Sequence, residues 1–243
     1  MKKIPIKLDS CPIIESVFEI RFDSDIDREV VFPLVYSAIE KDFQPPQPLQ
    51  VLQIPENIRS IDPNLQFQPS YRLVSIGDPN VSLQIGPRVI VFGFTRDYKG
   101  WEAFLSYVTK YLGVLEGTKV IRSVQRIGFR VINFFDWDIF RKGTDLKISL
   151  AGKELPLLDT SLRTVFEDGD YKSTVNVINN ATLNRPLSVR VGSIIDIDTS
   201  TTHCDEFFSN FTRYMGKAHD VEKSLFFSLL SDELILKLKP TYQ

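Results

Sequence analysis

The sequence contains few of the residues on which many enzymes and secreted proteins depend. Among its 243 residues there are two cysteines, two histidines and two tryptophans. A secreted domain held together by disulfides usually carries more cysteine than this, so we expect a reducing, cytoplasmic setting. No run of about 18 apolar residues occurs, so no transmembrane helix is predicted and a membrane is not an expected partner.

Neither sign of charge is in clear excess. The 29 Lys and Arg residues nearly balance the 31 Asp and Glu residues, and the formal net charge is −2. A protein that binds nucleic acid broadly would be expected to carry a basic surface, so nucleic acid is not an expected partner either. Hydrophobic residues make up 43% of the chain, which is enough to form a sizeable core.

Motifs of the common enzyme classes are also missing from the sequence. It has no GxxxxGK[ST] phosphate loop, and GxGxxG, GxSxG and HExxH do not occur. Only His203 and His219 could serve as imidazole bases. We therefore assign no catalytic residue and predict no cofactor, and the balance is against an enzyme.

Alternation of apolar and polar residues predicts several strands. The clearest alternation is at 17–22, and a longer strand is predicted at 124–135. Short extended segments are predicted at 81–85 and 89–94. Gly86 and Pro87 separate these two segments, which predicts an antiparallel hairpin. Between Trp101 and Leu115 six apolar side chains have helical spacing, so an amphipathic helix is expected after the hairpin.

The second half of the chain has weaker signals. The string NNATLNRP at 179–186 is typical of a turn or loop. The segments 187–191 and 194–197 are predicted to be two strands that turn at Gly192 and Ser193.

The carboxy-terminal region has the spacing of helices. Gly216 is a candidate break in a long helical stretch, and Ser231 is a candidate cap for a last short helix that ends before Pro240.

Two strings of the chain resemble each other and suggest an internal repeat. SLQIGPRVIVF at 82–92 and SVRVGSIIDID at 188–198 share the order small, apolar, polar, apolar, glycine, and an aromatic helix is predicted after each. We therefore expect an α+β fold made of two related halves of antiparallel sheet, each with a strand, hairpins and a helix, and with the helices packed on one face. The expected halves are 1–122 and 123–243, the second ending in a long helical segment, and they can share one core.

Four segments, in this order, resemble a sporadically distributed, uncharacterised family of prokaryotic proteins of about this size. They are PIIESVFEIRFDS at 12–24, GPRVIVFGFTRDYKGWEAF at 86–104, RIGFRVINFFD at 126–136 and AHDVEKSLFFSLLSDEL at 218–234. His219 matches a Leu-His pair of that family, although Ala218 replaces the leucine. The resemblance implies a stand-alone cytoplasmic protein of patchy inheritance, a pattern common among defence, toxin-neutralising and mobile-element genes.

Four arginines recur on predicted strands: Arg21, Arg126, Arg130 and Arg190. On one sheet they could line a groove that binds phosphate or carboxylate through their planar donors. The alternative, which the abundance of acidic residues favours, is a set of cross-strand ion pairs on the solvent face.

Asp196, Asp198 and His203 form the best small constellation of chemical groups in the sequence. Two carboxylates and an imidazole could hold a divalent metal or act as an acid–base pair. The ligand types are mixed and lack a recognised metal-site spacing, so a solvated strand face followed by a helix cap is the favoured alternative.

The string NFFDWDIF at 133–140 concentrates aromatic residues, of which Phe135, Trp137 and Phe140 are candidates for an exposed interface. Burial of these residues in the core and an adjacent loop is favoured as the alternative.

The sequence as a whole favours a non-enzymatic binding protein whose partner is another protein, of an antitoxin-like or immunity-like kind. The alternative is an enzyme or a nucleotide-binding or anion-binding protein that uses the arginine-lined sheet, and a homodimer is a further hypothesis.

Overall fold

The computed structural model describes residues 3–96, 98–141, 143–185 and 188–242. The strands are β1 (Lys7–Leu8), β2 (Ile13–Asp23), β3 (Gln47–Pro48), β4 (Tyr71–Val74), β5 (Val81–Gly86), β6 (Val89–Thr95), β7 (Ser123–Phe135), β8 (Ser149–Leu150), β9 (Lys153–Glu154), β10 (Ser161–Asp168), β11 (Tyr171–Arg185), β12 (Ser188–Thr201) and β13 (Pro240–Thr241). The helices are α1 (Arg28–Ile39), α2 (Glu56–Arg59), α3 (Trp101–Thr118), α4 (Phe207–Leu229) and α5 (Asp232–Lys237), with 3₁₀ turns at Glu40–Asp42 and Gln50–Gln53.

Nine of the strands form one antiparallel sheet with the helices packed at one side, so the predicted α+β class is confirmed. The strand order is β10-β11-β12-β7-β2-β6-β5-β4-β3. Two further pairs, β1 with β13 and β8 with β9, are antiparallel ladders of two residues each.

Apart from the short edge strand β3, the two halves of the sheet have the same order of connected strands. From one end, three consecutive strands, β10, β11 and β12, lead to β7; from the other, after the short β3, the strands β4, β5 and β6 lead to β2. Duplication of one unit would produce this arrangement. The duplication itself stays a prediction.

The chain divides into two compact units, each assembled from separate stretches of sequence. The first unit is Met1–Ile14, Arg130–Thr199 and Lys217–Gln243, and the second is Glu15–Phe129 and Ser200–Gly216.

The second unit has a core rich in aromatic side chains. Strand β2 buries Phe18, Ile20 and Phe22 completely on one face, because alternate residues of a strand point to the same side. The ring of Phe94 meets that of Phe104, on α3, edge-on at 5.1 Å between centroids. The predicted hairpin is confirmed as β5 and β6, and the predicted helix is α3.

The first unit has a separate apolar core between its strands and the helices α4 and α5. The buried members of this core are Phe135, Ile139, Val175, Val177, Ile195, Ile197, Phe226, Phe227, Leu230, Leu234, Ile235 and Leu238. The predicted cap of the last helix is confirmed, since the Ser231 hydroxyl accepts a hydrogen bond from the Leu234 N–H at 3.2 Å.

The turn predicted at Gly192 and Ser193 is wrong. Strand β12 runs through both residues without interruption. A Cβ atom at Gly192 would lie 1.9 Å from the carbonyl oxygen of Phe135, so the glycine allows β12 to approach the backbone of β7 closely. A glycine in an apolar run indicated a turn, whereas here it marks a close backbone contact.

The loop predicted at 179–186 is also wrong for its described part. Strand β11 continues to Arg185, and only Asn180 departs from extended geometry, with a φ of 60°. Pro186, the last residue of the predicted loop, lies outside the described residues.

The predicted break at Gly216 does not occur, because α4 continues from Phe207 to Leu229. None of the helices in the described ranges is both long enough and apolar enough to cross a bilayer.

We predict that Gly192→Ala destabilises the protein by about 3 kcal/mol, because the added methyl group collides with the backbone of β7. Chemical denaturation followed by circular dichroism measures the change. The matched control is Gly113→Ala in α3, where a Cβ atom meets nothing within 4 Å. This control should gain about 0.5–1 kcal/mol from helix propensity, and equal effects of the two substitutions would contradict the close contact.

Candidate functional site

Two of the predicted arginines belong to the second unit and share one carboxylate. Oxygen Oε1 of Glu19 accepts a hydrogen bond from Nε of Arg21 at 2.7 Å and another from Nη1 of Arg126 at 2.6 Å. The guanidinium of Arg21 also lies 5.1 Å from the ring centroid of Phe67. Both arginines are therefore engaged with neighbouring side chains, as the ion-pair alternative expected.

Arg130, in the first unit, holds a buried carboxylate with two hydrogen bonds. Its Nε and Nη2 atoms donate to the two carboxylate oxygens of Asp196 at 2.7 and 2.8 Å. The amide of Asn176 donates to the same carboxylate at 3.1 Å. Because the Asp196 side chain is only 8% exposed, the guanidinium of Arg130 is the counter-ion that makes its burial tolerable.

The residues of the hypothetical metal site are placed differently from one another. Asp196 is occupied by Arg130, and Asp198 is half-buried on the same strand. His203 is exposed and belongs to the second unit, where its backbone N–H donates to Oγ1 of Thr201 at 3.1 Å. Across the described stretches of chain, no group of three or more His, Cys, Asp or Glu side chains is suited to hold a metal ion.

The three predicted interface aromatics have different environments. Phe135 is a member of the first unit's core, and Phe140 packs against that core. Trp137 is 36% exposed. The ammonium of Lys237, on α5, lies 5.3 Å from the centroid of the Trp137 ring, within the range of a cation–π contact.

Arg190 and Trp137 both line a cavity of about 420 Å³ in the first unit. The other residues around the cavity are Ser10, Cys11, Pro12, Phe134, Phe135, Asp136, Leu234, Lys237 and Leu238. We take this cavity as the candidate functional site and call it the Arg190 cavity.

Backbone hydrogen bonds bring the distant segments of the Arg190 cavity together. The N–H of Ser10 donates to the carbonyl oxygen of Leu238 at 3.1 Å, and the N–H of Phe134 donates to that of Pro12 at 2.9 Å. Pairing of β1 with β13 extends this connection between the two ends of the chain. Backbone hydrogen bonds between segments distant in sequence therefore hold the walls of the cavity together.

The Arg190 cavity is lined by both apolar and charged groups. Phe134, Phe135, Leu234 and Leu238 are buried, whereas Arg190 and Lys237 are about half exposed. Such a combination is typical of small-molecule sites, where apolar surface supplies affinity and a few polar groups set orientation.

Both cations of the cavity have weak or exposed partners. Nη1 of Arg190 lies 4.0 Å from a carboxylate oxygen of Asp136, the limit of an ion pair. Lys237 pairs with Glu233 at 2.9 Å one helical turn away, with both side chains more than half exposed. Exposed pairs of this kind contribute little to stability, so an incoming anion can replace either partner at low cost.

Cys11 supplies a thiol to the lining of the cavity. It is exposed, yet desolvation by the surrounding protein raises the pKa of its thiol. At neutral pH the sulfur is therefore protonated and a poor nucleophile.

Sequence reasoning identified Arg190 and Trp137 but missed Lys237, Ser10 and Cys11. Lys237 follows Glu233 at i+4 on a short helix, a spacing usually read as a solvent ion pair. Ser10 and Cys11 join the site only because the amino-terminal segment pairs with the carboxy-terminal one, and neither residue stands in a recognisable motif.

Helix α4 carries a buried titratable group, Glu222, and a half-buried one, His219, in the first unit. Burial raises the pKa of the Glu222 carboxyl to about 8, against a small opposing effect of the positive Lys223. Burial, and then Lys223, lowers the pKa of His219 to about 4, and the neighbouring Asp220 opposes this shift. Both side chains are therefore held in their neutral forms near pH 7.

No protein-family model and no curated protein sequence matches the chain.

We predict that the protein loses stability between pH 6.5 and 8 by about 2 kcal/mol. In this range the folded state keeps the proton of Glu222 while the unfolded state has released it, so raising the pH favours unfolding. Below pH 6.5 the unfolded state also binds a proton at His219, which gives an opposite slope and a nearly flat profile down to about pH 4.5.

Urea denaturation at a series of pH values measures this profile. Glu222→Gln, which keeps the shape of the side chain and cannot ionise, should abolish the fall above pH 6.5. An unchanged fall in this variant would show that another group causes it.

We predict that Arg130→Ala destabilises the protein by about 1.5–3 kcal/mol, because it leaves the buried Asp196 carboxylate without its counter-ion. The matched control is Arg141→Ala in the same unit, since the Arg141 side chain is 71% exposed and lies 3.7 Å from Asp138. That control should change the unfolding free energy by less than about 0.5 kcal/mol. Equal losses in the two variants would contradict a structural role for Arg130.

Proposed function

We propose that the chain is a binding protein that takes a small anionic ligand with a flat apolar part into the Arg190 cavity. The observation that carries the proposal is that Arg190 and Lys237 line the same cavity, above buried apolar side chains and beside Trp137. The ligand class is an aromatic or similarly planar carboxylate or phosphate.

The state of the arginines supports the Arg190 cavity over the sheet face as the anion site. Arg21 and Arg126 converge on Glu19, and Arg130 donates twice to Asp196. Diverting Arg130 to a ligand would leave the buried Asp196 carboxylate without its counter-ion, and diverting Arg21 or Arg126 would remove one of the two cations that Glu19 shares. Arg190 can leave Asp136 cheaply, because that carboxylate is 66% exposed and stays hydrated.

The size and lining of the cavity support a ligand of one ring and an acidic group. Its volume of about 420 Å³ falls within the usual range for small-molecule sites. A planar ring can stack on the exposed indole of Trp137 while its acidic group meets the cations. A guanidinium also suits carboxylate and phosphate because it can donate two parallel hydrogen bonds.

Binding without turnover is the role that the lining side chains support. The residues around the cavity include no histidine, and the thiol of Cys11 has a raised pKa. The hypothesis of an antitoxin-like or immunity-like partner of another protein stays a prediction.

The proposal is tested by titrating the protein with phenyl phosphate and benzoate while following Trp137 fluorescence. Trp101→Phe supplies a background in which Trp137 is the only tryptophan. We expect saturable fluorescence changes in the millimolar range or below, as for other fragment-sized ligands, and no saturation with the neutral compound phenol.

Arg190→Ala combined with Lys237→Ala should weaken binding of both anions at least about tenfold. Lys153→Ala, on the exposed strand β9 of the same unit, is a control for the loss of a positive charge away from the cavity and should bind as the parent does. The proposal fails if neither anion saturates the parent protein. It also fails if the double variant binds both anions as tightly as the Lys153→Ala control.

A further inference from the structure

The two edges of the nine-stranded sheet differ in how they are protected. The edge strand β3 has two residues, and one of them is Pro48, which has no N–H to offer. The opposite edge strand β10 has eight residues, no proline and an unbroken register with β11. Short length and proline are common protections of an edge, and β10 has neither.

Apolar side chains are exposed on both faces of β10. Val165 is 49% exposed on one face and Phe166 is 45% exposed on the other. Within the described residues the backbone of β10 pairs with β11 alone. The strand therefore offers unpaired backbone groups together with apolar side chains that another strand would cover.

The turn of the β10–β11 hairpin determines which residues face outwards along the edge. Asp168 pairs with Tyr171 across a two-residue turn that begins at Gly169, with a φ of 58°. The pair that closes such a turn exchanges both backbone hydrogen bonds, and these pairs alternate along the ladder. The backbone N–H and C=O groups of the odd-numbered residues, among them Arg163, Val165 and Glu167, therefore point away from β11.

We infer that β10 pairs antiparallel with β10 of a second copy of the chain, about a twofold axis at Val165. In this register Val165 lies opposite Val165 of the second copy, and Arg163 lies opposite its Glu167. By symmetry the same ion pair forms twice, and Arg163, Val165 and Glu167 each lie opposite an outward-facing residue. This inference does not rest on the proposed ligand.

Charge selects this register over the other registers that pair outward-facing residues. An axis at Thr164 or at Phe166 would leave both Arg163 and Glu167 opposite uncharged residues. An axis at Arg163 would oppose two arginines, and an axis at Glu167 would oppose two glutamates. Like charges directly opposite each other in a ladder are destabilising, whereas opposite charges are stabilising. The register centred on Val165 also brings Phe166 close to Phe166 of the second copy on a diagonal, which covers its exposed ring.

The contact is one strand wide, so we expect a dimer with a dissociation constant of about 10 µM. Sedimentation-velocity ultracentrifugation of the full chain over a range of concentrations measures it. Arg163→Glu and Glu167→Arg should each weaken the dimer about tenfold, because both create two like-charge contacts. The doubly exchanged variant carrying both substitutions should dimerise as the parent does.

Mixing the two single variants gives the sharpest result. Each variant alone opposes like charges, whereas an Arg163→Glu chain beside a Glu167→Arg chain has two complementary pairs. We therefore expect a 1:1 mixture to dimerise where the separate solutions do not. Arg163 and Glu167 lie four residues apart on one strand, too far for contact within the chain, so recovery in the mixture reports contact between chains.

Val165→Pro provides an independent test of the edge. Proline at this outward-facing position removes one backbone N–H. The second copy needs this N–H and β11 does not use it, so the substitution should abolish dimerisation with little loss of stability. Thr164→Pro, at an inward-facing position, should instead destabilise the fold. The inference is overturned if the parent remains monomeric at about ten times the expected dissociation constant. It is also overturned if Val165→Pro dimerises normally or if the mixture of charge variants stays monomeric.

Discussion

The close contact between Gly192 and the backbone of β7 is the constraint on which the first unit depends. At that point β12 passes the carbonyl group of Phe135 at a distance that admits no side chain. Arg190, two residues before Gly192, lines the cavity, and so does Trp137, two residues after Phe135. The same pair of strands carries the ion pair of Arg130 with Asp196. The contact therefore links the buried part of the sheet to the walls of the site.

Electrostatics separates the arginines that support the fold from the one that lines the cavity. A guanidinium that holds a buried carboxylate cannot be released without leaving a desolvated charge, and this is the position of Arg130. Arg190 faces a hydrated carboxylate at the limit of ion-pair distance, so its donors can serve another anion. Arginines of similar appearance in the sequence thus have different roles because their partners differ in burial.

Much of the fold could be predicted from local patterns, and the exceptions have physical reasons. Alternation identified β2 and β7, and helical spacing identified α3. The turn residues Gly86 and Pro87 separated β5 from β6, which are buried on both faces. Gly192 was misinterpreted because glycine allows both a turn and a close backbone approach, and the local sequence does not distinguish them. For the site, a charged residue on a strand pointed to Arg190, but Lys237 is on a helix at a spacing typical of solvent ion pairs.

The central claim is that the Arg190 cavity binds a planar anion, and the most direct measurement is a crystal structure of the protein soaked with bromophenyl phosphate. The account predicts an anomalous bromine peak against the indole of Trp137, with the phosphate held by Arg190 and Lys237. A peak at the sheet face beside Arg21 and Arg126 would contradict it. The absence of a bromine peak in the cavity, in a crystal form whose packing leaves the cavity open to solvent, would contradict it as well.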